Sequence, residues 1–545
     1  MSAARSGDES QDAVAAEVTT RGHRGHGIDE ISVGRRAVLR GALTGGAAVA
    51  TLGLPIPRSA HAEDAVPRRG GNLRVAMLGG SSADSLDPHS CVVQADTART
   101  VALYDPLVEM NQDATLVNAL AESIEPNPTA TEWTIRLRKG VTFHDGKPLT
   151  AADVAYTFRR ILDPRAPLTG ALALQPLDID NITLLDTRTL RIPTKVPYAN
   201  LPECVSSSIY YGIVPVDFDP KRPVGTGAFK YESFTPGQQS VFSRFDDHWR
   251  PGLPYLDRLT IIDSFASEVA AFNALQGGQV DALASAPLTL VRQLAAGGPL
   301  KALVSEPGQW TPFTMRVDQP PFDDPNVRKA FRLLVDREQM IKVGLNGLGI
   351  AAADVFAPWD PLFDTSLRRE RDVDQAKFLL RKAGEDRLEV ELVTSDIANR
   401  VPQLAQIFAV QAADAGVKVR VRQVPADVFY GDQYLQWNFA QDYWYYTPYL
   451  PQISVCSLPG ATYNETHWTD ESYAKLFHEA RGTVDLDKRR ELAWELQKID
   501  FEEGGLIIPS FNRGVDLLAN NVQGLQAGRT GRPLGNYAFR DMWLS

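Results

Sequence analysis

Trp133-Thr-Ile-Arg-Leu-Arg-Lys-Gly-Val-Thr-Phe-His-Asp-Gly-Lys-Pro-Leu-Thr-Ala-Ala-Asp-Val154 carries three structural signals in one run. It opens with strict alternation. Trp133, Ile135 and Leu137 fall on one side, and Thr134, Arg136 and Arg138 on the other, which predicts a half-buried strand. His144-Asp-Gly-Lys-Pro148 reads as a turn. Thr150-Ala-Ala-Asp153 then has the spacing of a capping box, in which the Thr hydroxyl and the Asp carboxylate satisfy N–H groups that a helix start leaves free. Val154, Phe158 and Ile161 follow at i, i+4 and i+7 and predict a buried helix face.

The same switching between periods of two and 3.6 runs outward in both directions. Asp324-Pro325 is an N-cap acid followed by Pro at the first helical position, with Val327, Ala330, Phe331 and Leu334 as the apolar stripe. Ser267-Glu-Val-Ala-Ala-Phe-Asn-Ala-Leu275 predicts a helix that stops at Gly277-Gly278 in a left-handed cap. Val280-Asp-Ala-Leu283 reads as a strand. Helices and strands mixed throughout predict an α/β architecture. No 20–50-residue repeat and no low-complexity linker interrupts it.

With 545 residues, 44% hydrophobic and 23% charged, the chain predicts about two to four globular domains. Its balance of 56 Lys+Arg against 67 Asp+Glu gives −11. An acidic protein gains nothing from counterion release on nucleic acid, and an anionic membrane surface repels it.

Near the start, Arg35-Arg36 precedes a weakly apolar run from Gly41 to Leu54, and Ala60-His61-Ala62 fits a cleavage site that leaves Glu63 first. This resembles a Tat export signal. The run is too short for a membrane anchor, and Arg40 breaks it. No Cys follows to accept a lipid. Residues 1–62 hold seven Arg against six acids, so the exported chain is about −12. Cys91, Cys204 and Cys456 enter an oxidising compartment, where one pair can bridge and one Cys is left over.

Catalytic motifs are missing. No H-E-x-x-H and no C-x-x-C occurs, which argues against zinc. Gly225-Thr-Gly-Ala-Phe229 lacks the third Gly of a dinucleotide fingerprint. Gly146-Lys147 is followed by Pro148 where a P-loop needs Ser or Thr. There is no G-x-S-x-G elbow, and no spacing marks two acids as a pair. One segment is rich in aromatics: Phe429-Tyr430, Tyr434, Trp437, Phe439 and Tyr443-Trp-Tyr-Tyr-Thr-Pro-Tyr449. It is either a hydrophobic wall between domains or a ligand pocket, where Tyr and Trp give rigid contact area with a polar tip.

Several phrases then line up in order: Gly70-Gly-Asn-Leu-Arg-Val-Ala76, Ser85-Leu-Asp-Pro88, Leu103-Tyr-Asp-Pro-Leu-Val108, Ala119-Leu-Ala-Glu-Ser123, the 133–154 run, Pro223-Val-Gly-Thr-Gly-Ala-Phe229, Pro321-Phe-Asp-Asp-Pro-Asn-Val-Arg-Lys-Ala-Phe331 and Asp336-Arg337. Together they resemble the family 5 extracellular solute-binding proteins, the peptide/nickel/opine-type components of ABC importers. The resemblance implies a two-lobed periplasmic-binding-protein-like α/β fold of type II, with an extra domain inserted in lobe I and a hinge cleft. Lobe I would take 63–105, 223–313 and 511–545, the extra domain 106–222, and lobe II 314–510, with crossings near 313 and 510. It implies a periplasmic monomer with no cofactor and no enzymatic activity. Its partners would be a peptide or small-molecule ligand, ABC permease subunits and, during export, the Tat translocase, with no nucleic acid. The rival readings are a secreted amidase or glycosidase and a chemosensory binding module. Nickel itself is disfavoured by the few His.

The resemblance also implies site residues. The loop after Ser85-Leu-Asp-Pro88 would reach the cleft with Cys91, Gln94 and Asp96. The lobe II motif of peptide binders, W-x-x-D, aligns on Trp444, Tyr445, Tyr446 and Thr447, so Thr447 stands where an Asp would meet the peptide ammonium. A buried ammonium without a carboxylate would cost on the order of several kcal/mol. Asp442 is the alternative carboxylate. Near the second crossing, Ile508-Pro-Ser-Phe-Asn512 would bring Phe511 or Asn512 to the cleft.

Overall fold

The computed structural model describes residues 66–545, apart from 92, 288–290, 292–293 and 295–297. The export-signal reading of 1–62 lies outside the described residues.

The 133–154 run folds as its pattern predicts. The strand Glu132–Leu137 buries Trp133, Ile135 and Leu137. Gly140 before the turn and Gly146 within it take positive φ of 74° and 84°. Helix Ala151–Ile161 starts in a capping box between Thr150 and Asp153, with Thr150 N–H donating to Asp153 Oδ2 at 2.8 Å. Its buried Val154, Phe158 and Ile161 share one core with Trp133 and Ile135. The strand belongs to an antiparallel sheet in the order Ala121–Pro126, Glu132–Leu137, Thr189–Pro193, Thr183–Leu184.

Two larger sheets carry the two lobes. The first has seven strands in the order Leu300–Val304, Val515–Ala519, Ala282–Leu283, Asn72–Ala76, Arg258–Ile262, Gln239–Arg244, Phe229–Thr235. Asn72–Ala76 lies parallel to both its neighbours, with Leu73 and Val75 buried and Asn72 and Arg74 turned to the more exposed face. Of the predicted strand Val280–Leu283, only Ala282–Leu283 pairs; the preceding helix Glu268–Gln276 does end at Gly278 with φ 69°.

The second sheet has five strands in the order Lys418–Gln423, Glu389–Thr394, Phe439–Gln441, Phe313–Met315, Leu506–Ile507. Helix Val401–Ala413 supplies the crossover that its parallel pair requires. Phe313, Phe331, Phe408 and Phe439 pack ring against ring beneath it.

The chain passes between these sheets twice, after Val304 and after Ile507. The two passing segments pair with each other, Gln309 against Asn512 and Trp310 against Phe511. The molecule is a two-lobed α/β protein, with the 121–193 sheet as a further layer.

Two sequence phrases resolve into packing. Gly227 N–H donates to Leu103 O at 2.9 Å, and a Cβ on Gly225 would lie 2.0 Å from that same oxygen. These glycines therefore serve close backbone approach, not phosphate binding. The cysteine expectation is corrected as well. Cys91, Cys204 and Cys456 are all free and buried, with no bridge among them. Cys204 and Cys456 sit in different cores.

Candidate functional site

The loop after Ser85-Leu-Asp-Pro88 is held from below. Asp87 accepts from His89 N–H and from Arg160 Nη1, both at 3.0 Å, and Arg160 belongs to the 151–161 helix. His89 Nε2 meets Gly212 O at 2.8 Å. Burial and the nearby Arg160 charge pull the His89 ring down to about 4, so it is neutral at pH 7. Arg99, fully buried, meets Asp84 and Asp96 at 3.0 Å each and also Asp263. This group anchors helix Gln94–Leu103 to the seven-stranded sheet. One guanidinium offsets only part of the charge of three carboxylates, and burial together with the neighbouring Asp84 raises Asp263 to about 6.

Of the residues predicted in this stretch, Cys91 and Asp96 serve that anchor. The Cys91 thiol lies 3.0 Å from Thr100 Oγ1, and burial pushes it up to about 12. Asp96 also accepts from Ser85 N–H at 3.1 Å. Gln94 differs. Its amide donates to Ser285 Oγ at 3.1 Å and to Tyr445 Oη at 2.7 Å. It thereby reaches from a helix on the seven-stranded sheet to the segment leaving the five-stranded one.

That segment is positioned by backbone. Trp444 N–H donates to Trp310 O at 2.8 Å, Trp310 N–H returns to Trp444 O at 2.9 Å, and Tyr446 N–H donates to Thr530 O at 3.0 Å. The Trp444 and Trp310 rings stack at 5.9 Å and 18°, and Tyr463 meets Trp444 edge-on at 5.8 Å. Tyr443 and Tyr445 meet edge-on at 5.8 Å. Tyr446 is buried and Thr447 half-buried. The Asp442 carboxylate is engaged within its own lobe, accepting from Tyr430 Oη at 2.6 Å, Tyr434 Oη at 3.1 Å and Tyr443 N–H at 2.7 Å. Burial next to Asp442 holds the Glu465 carboxyl well above the usual range. Burial raises both carboxyls of this neighbouring pair.

Phe511 and Asn512 lie in the sheet formed by the passing segments. Phe511 packs against Phe363 at 6.3 Å. Asn512 Nδ2 donates to Thr311 Oγ1 at 3.2 Å, and its Oδ1 accepts from Ser510 Oγ at 2.7 Å.

The structure adds four residues that sequence reading did not single out: Ser285, Asp516, Arg532 and Tyr537. Asp516, fully buried, accepts from Ser285 N–H at 2.9 Å and from Leu534 N–H at 2.6 Å. Burial pushes it up to about 7. These two bonds fix backbone in the left-handed region. Ser285 has φ 53°, and Leu534, Gly535, Asn536 and Tyr537 have 51°, 60°, 68° and 56° in succession. Such strain persists only where surrounding contacts over-determine it, and it concentrates at ligand clamps. Arg532, just before this turn, lays its guanidinium over the Tyr445 ring at 5.1 Å. Its charge also acts on the hydroxyls of Tyr210, Tyr443 and Tyr537. The one signal in the sequence is the Gly/Arg-rich phrase Gly528-Arg-Thr-Gly-Arg-Pro-Leu-Gly535.

Gln94, Ser285, Tyr443, Tyr445, Arg532 and Tyr537 thus form a polar, aromatic meeting place of the two lobes. Such a surface can hold and orient a solute. Among the described residues no three His, Cys, Asp or Glu side chains come together as metal ligands. A cavity of about 520 Å³ shares Tyr537 with this meeting place and is otherwise lined by Tyr104, Asp105, Glu109, Ser207 and Arg540 among others, with no residue from the five-stranded lobe. Among the described residues no helix is long and apolar enough to cross a membrane.

Comparison with known proteins agrees with this architecture. Residues 115–464 match the pattern of the bacterial extracellular solute-binding proteins, family 5, middle region. The glutathione-binding protein GsiB of Pectobacterium atrosepticum is 27% identical over 361 residues, 64% of this chain and 68% of that one. Among solved structures, the binding protein AgaA of A. tumefaciens R10 in complex with agropinic acid superposes with a TM-score of 0.76 at 24% identity, covering 87% of this chain and 99% of that one. DppA of Helicobacter pylori with the peptide STSA gives 0.76 at 22% identity, covering 88% and 98%. These two likenesses speak to the fold.

Proposed function

The chain belongs to the bacterial extracellular solute-binding proteins of family 5, and from that premise we propose that it captures a peptide or similar medium-sized solute between its lobes and delivers it to the permease of an ABC importer. The observation that carries this reading is the Gln94–Tyr445 hydrogen bond at 2.7 Å, which joins the lobes beside Ser285 and Arg532. A solute touching both lobes stabilises the closed form, because only that form makes both sets of contacts. The permease then meets a closed, loaded protein. No bond in the solute is made or broken, and the protein acts by binding, not as an enzyme.

The reading extends to export and layout. Residues 1–62 are a Tat signal removed after Ala62, and the protein works as a soluble periplasmic monomer. Lobe I takes 63–105, 223–313 and 511–545, the extra domain 106–222 and lobe II 314–510. Bending occurs where the chain passes near 313 and 510. The relatives bind glutathione, an opine acid and a peptide, and this chain takes a solute of that size range.

Native mass spectrometry of the purified protein tests the reading. A co-purified small molecule, bound one to one and rebinding saturably after removal, is the expected result. Turnover of that molecule into products would point instead to a hydrolase.

A further inference from the structure

Arg532 is half-buried at the junction of the lobes. Among the buried arginines, Arg99, Arg337 and Arg369 meet carboxylates, and Arg328 and Arg332 donate to backbone carbonyls. Among the described residues no carboxylate pairs with Arg532, whose guanidinium instead lies on the face of Tyr445. A stacked guanidinium keeps its N–H edge available, and that edge matches the two oxygens of a carboxylate.

The acids nearby are already engaged. Asp516 binds two backbone N–H groups, Asp442 binds two tyrosine hydroxyls and an N–H, and position 447 holds Thr. Asp442 and Asp516 are thus committed within the protein, while the Arg532 guanidinium, without a carboxylate among the described residues, lies at the lobe junction. A second observation points to the same place. The Tyr537 hydroxyl is buried, 1% exposed, with no hydrogen-bond partner among the described residues. It belongs to the strained turn that follows Arg532. A buried donor left unpaired is unfavourable unless a bound molecule satisfies it.

We propose that Arg532, with the Tyr537 hydroxyl beside it, recognises a carboxylate on the solute, and that this protein selects acids without requiring a free ammonium group. The inference rests on the solute-binding reading and narrows it to one chemical class.

A mixed tripeptide library tests this in three forms: free-amine acids, N-acetyl acids and free-amine amides. Each is offered to the purified exported protein and retention is read by native mass spectrometry. The expected result is retention of both acid forms, with amides retained at least tenfold less. Arg532→Gln should lose the preference, and Arg532→Lys should keep part of it, both with wild-type melting temperature. If Arg532→Gln does not fold, the acid–amide comparison on the natural protein and the Lys variant decide. Amides retained as well as acids, or acid retention unchanged in Arg532→Gln, would leave solute binding standing and remove Arg532 from the recognition. If no tripeptide is retained but a solute co-purifies, a carboxylate on that solute supports the assignment and its absence overturns it. If nothing is retained and nothing co-purifies, the solute-binding reading fails, and this one with it.

Discussion

Gln94 and Tyr445 stand 351 positions apart in the chain and 2.7 Å apart in the fold, joined by a hydrogen bond between the lobes. The same amide holds Ser285 Oγ at 3.1 Å. Ser285 lies on the same lobe as Gln94 and orients its amide, while the Tyr445 contact crosses to the other lobe and is lost when the two part. Replacing Gln94 with Ala removes both contacts without touching the buried Arg99 anchor below. A hydrogen bond of this kind contributes about 0.5–1.5 kcal/mol, or roughly a two- to tenfold change in affinity. The expected outcome for Gln94→Ala is therefore weaker solute binding within that range, with a larger radius of the unliganded protein in solution scattering. Unchanged affinity and radius would mean that this bond does not govern closure.

Trp444→Ala probes the aromatic wall. The indole is stacked on Trp310 and edged by Tyr463, while the two backbone bonds to Trp310 survive the substitution. The wall opens but the segment stays in register. Affinity should fall at least tenfold, with thermal unfolding still a single cooperative transition. Calorimetry showing wild-type affinity would place the pocket elsewhere.

The contrast between these residues and the rest of the site shows where sequence reading reaches its limit. The Thr150–Asp153 capping box and the Trp133–Leu137 alternation depend on neighbours within four residues, so local spacing encodes them. Gln94 was reachable because an ordered motif places its loop. Its partners were not: Ser285 and Arg532 come from distant segments whose local patterns say only "turn". Cys91 and Asp96 share Gln94's stretch but not its direction. The helix geometry that aims Gln94 at Tyr445 brings Asp96 onto Arg99. The aromatic segment 429–449, ambiguous in the sequence, divides in the fold. Tyr430 and Tyr434 hold Asp442, while Tyr445 meets Gln94 and Arg532.

Position 447 tests the proposed ligand register. With Asp442 engaged by Tyr430 and Tyr434, the W-x-x-D position offers no carboxylate to a peptide's terminal ammonium. Thr447→Asp supplies one at the W-x-x-D position. The variant should gain affinity for free-amine peptides, including amidated ones, relative to N-acetyl forms. Titration of matched free and acetylated peptides reads the difference directly. No gain would show that the Trp444 register does not carry the family's ammonium contact here.

Asp500 sets a pH dependence of stability that is separable from binding. Its carboxylate is buried in the second lobe, where Tyr449 Oη donates to it at 2.6 Å and Tyr473 Oη at 3.3 Å. Burial outweighs these bonds and raises it from 3.8 to about 6. A carboxyl raised on folding favours the folded state while it is protonated. That contribution is complete below pH 3.8 and is lost as pH rises through about 6. A displacement of this size corresponds to roughly 3 kcal/mol as an upper bound. Asp516, raised to about 7, titrates in an overlapping range and blurs the wild-type curve alone. Asp500→Asn keeps an acceptor for both tyrosines and cannot ionise. Subtracting the wild-type melting profile from that of the variant cancels Asp516 and every other shared group. The difference should grow in favour of Asn between about pH 4 and pH 7 and then level off. A flat difference by scanning calorimetry would mean that Asp500 ionises in the folded protein as readily as in the unfolded chain.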